Sequence, residues 1–174
     1  MNEHAAALTR AQETPDRFVA AMRLAATGVS VVTTDGPAGR FGVTVSAISS
    51  VSTEPPLVLA CINRKSPAVT AIELNGVMAV NLLAEHQRPI AETFAGRPCV
   101  GAPYDFGCAE WSSDRTGSPL LRHAAAVFDC EVMAFHDAGS HRIVLGRVVD
   151  ARGGDASPLV YSRRDYRRIA DLHS

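Results

Sequence analysis

"GVTVSAISSVSTEPPLVLACIN", residues 42–63, sets hydroxyl side chains against small apolar ones until Pro55 and Pro56 interrupt the run. Successive side chains of an extended chain point to opposite faces. Counted from Gly42, Thr44, Ser46, Ser50 and Ser52 share one face; Val43, Val45, Ala47 and Val51 share the other, while Ser49 and Thr53 break the alternation. The pattern predicts a strand with one buried face, and LVLACIN, 57–63, is a second run of strand length.

Working outward, VSVVTT (29–34) is rich in β-branched residues, and DGPAG (35–39) is a turn that makes a hairpin with the opening stretch. Thr14-Pro15-Asp16 reads as a helix start: hydroxyl cap, proline at the first position, acid near the positive dipole end. Phe18, Met22 and Ala25 then share a face, with Ala21 beside them, and Gly28 is the expected stop. Residues 1–13 read as a flexible N-terminal segment and 14–174 as a single domain. Ser66-Pro67 opens a helix through Leu74, Gly76 starts the strand VMAVNLL, and Glu85–Phe94 is a second short helix that tolerates Pro89 only near its first turn. Residues 96–119 are loop-like. In AVFDCEVMAF (126–135), Phe128, Cys130, Val132 and Ala134 alternate with Asp129, Glu131 and Met133, which predicts one buried face. HRIVLGRVVDA and PLVYSRR continue in that style. Strands joined by turns outnumber helices, so the fold class is mainly β with short helices, a closed or nearly closed antiparallel barrel.

At 174 residues the chain can bury a core without disulfides or a structural metal. With 47% hydrophobic and 20% charged residues it is globular rather than disordered. A net charge of -1 offers no broad field for a nucleic-acid backbone or an anionic membrane, so neither is an expected partner. Cys61, Cys99, Cys108 and Cys130 form no C-x-x-C pair and have no histidine at zinc-finger spacing, so reduced thiols and no metal are expected. MNEHAAALTR lacks the apolar core of a signal peptide, so a cytoplasmic location is expected.

The chain carries no G-x-G-x-x-G after a strand, no P-loop, no G-x-S-x-G and no zincin pair. An enzyme of this composition would leave the hard chemistry to a bound cofactor. The hydroxyl face has two readings: a solvated strand, common in antiparallel sheets, or a neutral wall that holds a ring edge and a phosphate through hydroxyls and amides.

The run TVSAISSVSTEPPLVLACINRKS (44–66) followed by NGVMAVNLL (75–83) resembles the short-chain flavin reductases, the NAD(P)H:flavin oxidoreductase components of two-component flavin-dependent monooxygenases. AETFAG (91–96), GSH (139–141) and PLVYSRRDYR (158–167) extend the similarity in the family's order over nearly the whole chain after the first helix. The resemblance implies an FMN-binding split β-barrel of Greek-key antiparallel type, working as a homodimer with FAD or FMN near the interface. It implies that hydride passes from NADH, or NADPH, to the flavin, which leaves as a diffusible carrier for a separate monooxygenase acting on an aromatic substrate. A flavin-binding carrier without reductase activity, or a reductase of a non-flavin acceptor, are the alternatives.

Carried over position by position, the resemblance makes Thr44, Val45, Ser46, Ala47, Ser49 and Ser50 the wall for the flavin ring and phosphate. Cys61, Ile62, Asn63, Arg64, Lys65 and Ser66 would complete the phosphate site. Positive charge beside a helix start makes Arg64, Lys65 and Ser66 a sound anion site on physical grounds as well, against the alternative of a solvated turn. Phe94, Ala95 and Gly96 match a segment that lies against the flavin, although a phenylalanine ending an amphipathic helix equally suits a core. His141 matches a histidine that contacts the nicotinamide nucleotide, implying NADH positioning rather than acid–base work; a structural or solvated histidine is the competing reading. Tyr161 and Arg168 are nucleotide-binding candidates that could equally pack and face water. Trp111 and Tyr104 read as packing anchors.

Overall fold

The computed structural model describes residues 14–170, so the expected flexible segment 1–13 lies outside the described residues. Residues 14–22 are helical (α1). Then follow β1 (Thr27–Gly28), β2 (Ser30–Thr34), β3 (Phe41–Val45), β4 (Ile48–Thr53), β5 (Pro56–Asn63), α2 (Pro67–Asn75) and β6 (Val77–Leu82). A single 3₁₀ turn, Glu85–Gln87, leads into α3 (Arg88–Phe94), and another, Phe106–Cys108, precedes the two-residue strands β7 (Trp111–Ser112) and β8 (Leu120–Leu121). The chain closes with the long β9 (Ala126–Ala138) and β10 (His141–Gly153), then β11 (Val160–Ser162) and β12 (Asp165–Arg167).

The main sheet is antiparallel, seven strands in the order β3-β2-β6-β9-β10-β5-β4. Val45 of β3, Val32 of β2, Val80 of β6, Cys130 of β9, Val144 of β10 and Ile62 of β5 share one buried cluster, which α2 joins through Val69 and Ile72. Strands from opposite ends of the sheet meet in that cluster, so the sheet curls around it. It is not closed by hydrogen bonds: β3 and β4, consecutive in the chain, are its two edges and share no ladder. A closed barrel is therefore corrected to a curled, open sheet. A second cluster, with Val31, Leu83, Phe94 and Leu121, fills the other side. Val31 faces one cluster and Val32 the other, which is why VSVVTT shows no alternation: all five residues of β2 are buried.

Hydrogen bonding answers most of the polar groups this buries, the Ser30 hydroxyl excepted. Thr33 Oγ1 donates to the Pro119 carbonyl (2.6 Å) and Thr34 Oγ1 to that of Val77 (2.8 Å). Asn81, fully buried, donates to the Val31 carbonyl (3.0 Å) and accepts from the Leu121 backbone N–H (2.7 Å). Asp129, expected on the solvated face of β9, is only 1% exposed and accepts from the backbone N–H (3.0 Å) and the hydroxyl of Thr116. Alternation in β9 fails there because the 96–119 connection folds back and covers it.

Two further expectations change. The first helix ends well before Gly28, which sits in β1 opposite Val160; Phe18 and Met22 are 62% and 53% exposed, so the helix's apolar face is largely uncovered among the described residues. The hydroxyl stretch is not one strand but two, β3 and β4, separated by Ser46-Ala47. Among the described residues no helix is long and apolar enough to cross a membrane.

Candidate functional site

The break at Ser46-Ala47 organises the site. β3 stops there because it has reached the end of its pairing with β2, Val45 lying opposite Ser30. The Ala47 carbonyl then accepts from the Cys61 backbone N–H (2.9 Å), which starts β4 along β5 instead. On one side of the break lies a cavity of about 190 Å³ whose walls include Thr44, Val45, Ser46, Ala95 and Tyr161. Small side chains at Ser46 and Ala95 leave the opening to the backbone. Gly96 follows at φ 76°, where a Cβ would come within 2.6 Å of the Tyr104 hydroxyl, so glycine is required to turn the chain away from α3.

On the other side two turns meet at one end of the sheet. Asn63 ends β5 directly opposite His141, which begins β10. The Arg64 N–H donates to the Ser140 carbonyl (3.0 Å) and the Lys65 N–H to Asn63 Oδ1 (3.0 Å). Ser66 is extended and caps α2 without using its hydroxyl on the helix, leaving that hydroxyl beside Arg64 and Lys65. The Arg64 guanidinium reaches Asp137 at 3.6 Å while remaining half-exposed. Asp137 is in turn bonded by Arg142 (2.7 Å), whose hydrogen bond holds its carboxyl below the usual carboxylate range. His141 is exposed, with Nδ1 2.9 Å from Ser140 Oγ.

The structure therefore brings most predicted residues into two adjoining groups: Thr44, Val45, Ser46, Ala95 and Tyr161 at the cavity, and Cys61, Asn63, Arg64, Lys65, Ser66 and His141 at the sheet end. Ala47 links them. Others fall elsewhere. Ser49 and Ser50 are exposed along β4, where Ser49 Oγ donates to the Ser50 carbonyl (3.0 Å). Arg168 is strongly exposed and lies 3.6 Å from Glu85, apart from both groups. Two side chains sit in the core: Ile62 and Phe94 are both fully buried, the core reading left open for Phe94. The Phe94 ring packs edge-on against Phe106 (4.9 Å between centroids) and Trp111 (5.6 Å). Gly42 makes this possible, since a Cβ there would lie 2.6 Å from the Phe94 ring. Thr44 also spends its hydroxyl inward, donating to the Ala91 carbonyl (2.8 Å).

Arg97 and Tyr166 line the same cavity and were not singled out from the sequence. Tyr166 lies edge-on to Tyr161 at 5.3 Å, and burial pushes its phenol up. Their signal was present in AETFAGR and PLVYSRRDYR, but only the fold sets the two motifs side by side. Among the described residues no group of histidines, cysteines and carboxylates is arranged to hold a metal ion.

A flavin reductase like domain matches residues 22–170 of the chain. The FMN reductase (NADH) RutF of Variovorax paradoxus (strain S110) is 42% identical over 153 residues, covering 86% of this chain and 83% of that protein. BorF, the flavin reductase component of a bacterial two-component tryptophan halogenase, has the same fold at TM-score 0.81 and 32% identity, over 90% of this chain and 99% of its own. The NADH:FAD oxidoreductase SgcE6 of Streptomyces globisporus C-1027, in complex with NAD and FAD fragments, matches at TM-score 0.80 and 28% identity, over 88% of this chain and 92% of its own. A family match spanning residues 22–170 and a relative 42% identical over most of both chains place this protein in the flavin reductase-like domain family.

Proposed function

We propose that the protein is an NADH-dependent flavin reductase that accepts FMN or FAD. The observation that carries this reading is the convergence at Ser46-Ala47: a small-residue cavity on one side and, on the other, a cationic turn facing His141. The relatives' names, FMN reductase (NADH) and NADH:FAD oxidoreductase, support it.

The residues suit a flavin. An extended ring system needs close approach to backbone, which Ser46, Ala47 and Ala95 permit, and hydrogen bonds without a titrating partner, which the Ser46 hydroxyl and neighbouring amides provide. A phosphate needs positive charge and hydrogen-bond donors, which the Arg64 and Lys65 side chains and the Ser66 hydroxyl at the start of α2 combine. The bound flavin supplies the hydride-accepting ring nitrogen. The chain's work is alignment: Tyr161 and Ser46 fix one ring edge, and His141, set on a paired strand end, positions the nicotinamide nucleotide. Holding two rings in a reactive pose removes much of the entropic barrier, and no acid or metal is required of the protein.

We further infer that the reduced flavin serves a separate flavin-dependent monooxygenase with an aromatic substrate, and that two copies pair as a split-barrel homodimer. The naming of BorF as one component of a two-component system supports the first. The unpaired β4 edge, with Val51 49% exposed, supports the second.

The test is to mix the purified protein with NADH and FMN or FAD and follow loss of nicotinamide absorbance. Flavin-dependent oxidation is expected. A yellow complex that NADH does not bleach would instead favour a flavin carrier, and oxidation only with another acceptor would favour a non-flavin reductase.

A further inference from the structure

Arg64 is one end of a chain of charges that runs through β9, β10 and α2. Arg142 of β10 stands directly opposite Asp137 of β9 in the ladder, and its Nε donates to Asp137 Oδ1 at 2.7 Å. The other carboxylate oxygen, Oδ2, faces the Arg64 guanidinium at 3.6 Å. Arg142 Nη1 turns the other way and donates to Glu73 Oε2 on α2, also at 2.7 Å. One guanidinium thus spans two carboxylates, a geometry that its planar fork offers and an ammonium does not. Arg142 is also the best anchored of the four: its side chain is 23% exposed, against 43%, 49% and 52% for Asp137, Glu73 and Arg64. Its guanidinium lies over the Phe135 ring, 5.5 Å from the centroid, and Phe135 packs against the buried cluster inside the sheet.

The two arms of Arg142 end at different halves of the phosphate site. Through Asp137 it orients the Arg64 side chain, whose backbone N–H is already tied to the Ser140 carbonyl (3.0 Å). Through Glu73 it ties β10 to the helix that Ser66 caps. The distances separate two kinds of contact. At 2.7 Å the Arg142 pairs are charge-assisted hydrogen bonds, whereas at 3.6 Å the Arg64–Asp137 pair is an attraction without a hydrogen bond, so Arg64 is steered while its N–H groups are left for another acceptor. As stabilising contacts, exposed pairs of this kind are worth little. Their effect is on where Arg64 points: a free arginine loses rotamer freedom when it closes on an anion, and one already steered loses less.

We propose that Arg142 is a positioning residue for the flavin phosphate, holding Arg64 through Asp137 and the start of α2 through Glu73, and acting by way of these carboxylates rather than by contact with the flavin. The proposal rests on the phosphate being seated at Arg64–Ser66. Asp137 has two opposed effects there: orienting Arg64 favours the phosphate, and the carboxylate charge opposes it. The sign of the change in Asp137→Asn decides which one governs.

Fluorescence titration of the full chain with riboflavin and with FMN reads the phosphate contribution as the ratio of two Kd values. Asp137→Asn keeps an acceptor for Arg142 and removes the pull on Arg64; Arg142→Lys keeps the charge and cannot span both carboxylates. Each is expected to raise the FMN Kd about fivefold, the cost of ordering one long side chain, with the riboflavin Kd unchanged. In an Arg64→Ala background Asp137→Asn should add no further loss, because the carboxylate acts through Arg64. An FMN Kd unchanged or lowered in either variant, an equal rise for riboflavin, or an undiminished further loss in the Arg64→Ala background overturns the positioning role. If the parent binds riboflavin as tightly as FMN, or Arg64→Ala leaves FMN binding unaltered, the phosphate placement falls and the proposal with it. If the parent prefers FMN through Arg64 and the two variants are silent, the placement stands and only the positioning role is lost.

Discussion

Thr44 and Ser46 lie two residues apart on one strand face and do different work. The Thr44 hydroxyl donates to the Ala91 carbonyl and fastens α3 to β3; the Ser46 hydroxyl is exposed at the cavity. Thr44→Val should therefore cost ~1 kcal/mol of stability, the net value of a hydrogen bond, measurable as a lower urea midpoint. Ser46→Ala should weaken flavin binding while leaving that midpoint in place. His141 gives a second separable outcome: its side chain is exposed and its backbone is held by strand pairing on both sides, so His141→Ala should keep the fold. The KM for NADH is expected to rise several-fold with flavin Kd unchanged; equal loss of both would assign the residue a structural role. None of these distinctions is legible in the residues alone, because alternation tells which side chains share a face but not what stands opposite that face.

At the scale of elements, α3 was legible in its end and its proline but not its start, since the expected helix from Glu85 opens as a 3₁₀ turn, Glu85–Gln87, and α3 begins at Arg88. Pro89 lies within its first turn, and Arg88 and Glu92 pair at the i,i+4 spacing. The pair also gives a pH dependence. Hydrogen bonds from Arg88 and from the Cys99 thiol hold the Glu92 carboxyl below its ordinary value of 4.5. A carboxyl lowered in the folded state stabilises fully above that ordinary value, and its contribution is lost as the pH falls through the lower folded value. The Tm drop on acidification from neutral pH to below 4.5 should accordingly be smaller in Glu92→Gln than in the parent. The opening stretch was less legible as an element. Its hydroxyls recur on one face from Thr44 to Ser52, interrupted only at Ile48, yet β3 and β4 belong to opposite edges of the sheet. Two strands in series carry the same local period as one long strand, so only the pairing partner of each half reveals the break.

Over the whole molecule, the 96–119 connection is the part that tertiary structure makes meaningful. It places Pro119 and Leu121 against Asn81 and Thr116 against Asp129, so that a loop without strong local pattern becomes the cover of the second core cluster. Asn81→Leu would strand the Leu121 N–H in the interior and should cost roughly 1–3 kcal/mol, read by chemical denaturation, with the connection becoming more open to proteolysis. The sequence by itself determined the mainly β class, the run of antiparallel strands with two short helices between them, the turn residues, and the motifs that carry the family. Those depend on local period and on proline and glycine placement, which each segment holds within itself. Tertiary structure alone decided that the sheet curls without closing, that Phe94 and Ile62 are core, that Asp129 is buried, and that Arg97, Tyr161 and Tyr166 share one cavity. Each of these depends on which distant segment covers a given face, and burial and contact across such distances are set by packing the whole chain around its two apolar clusters.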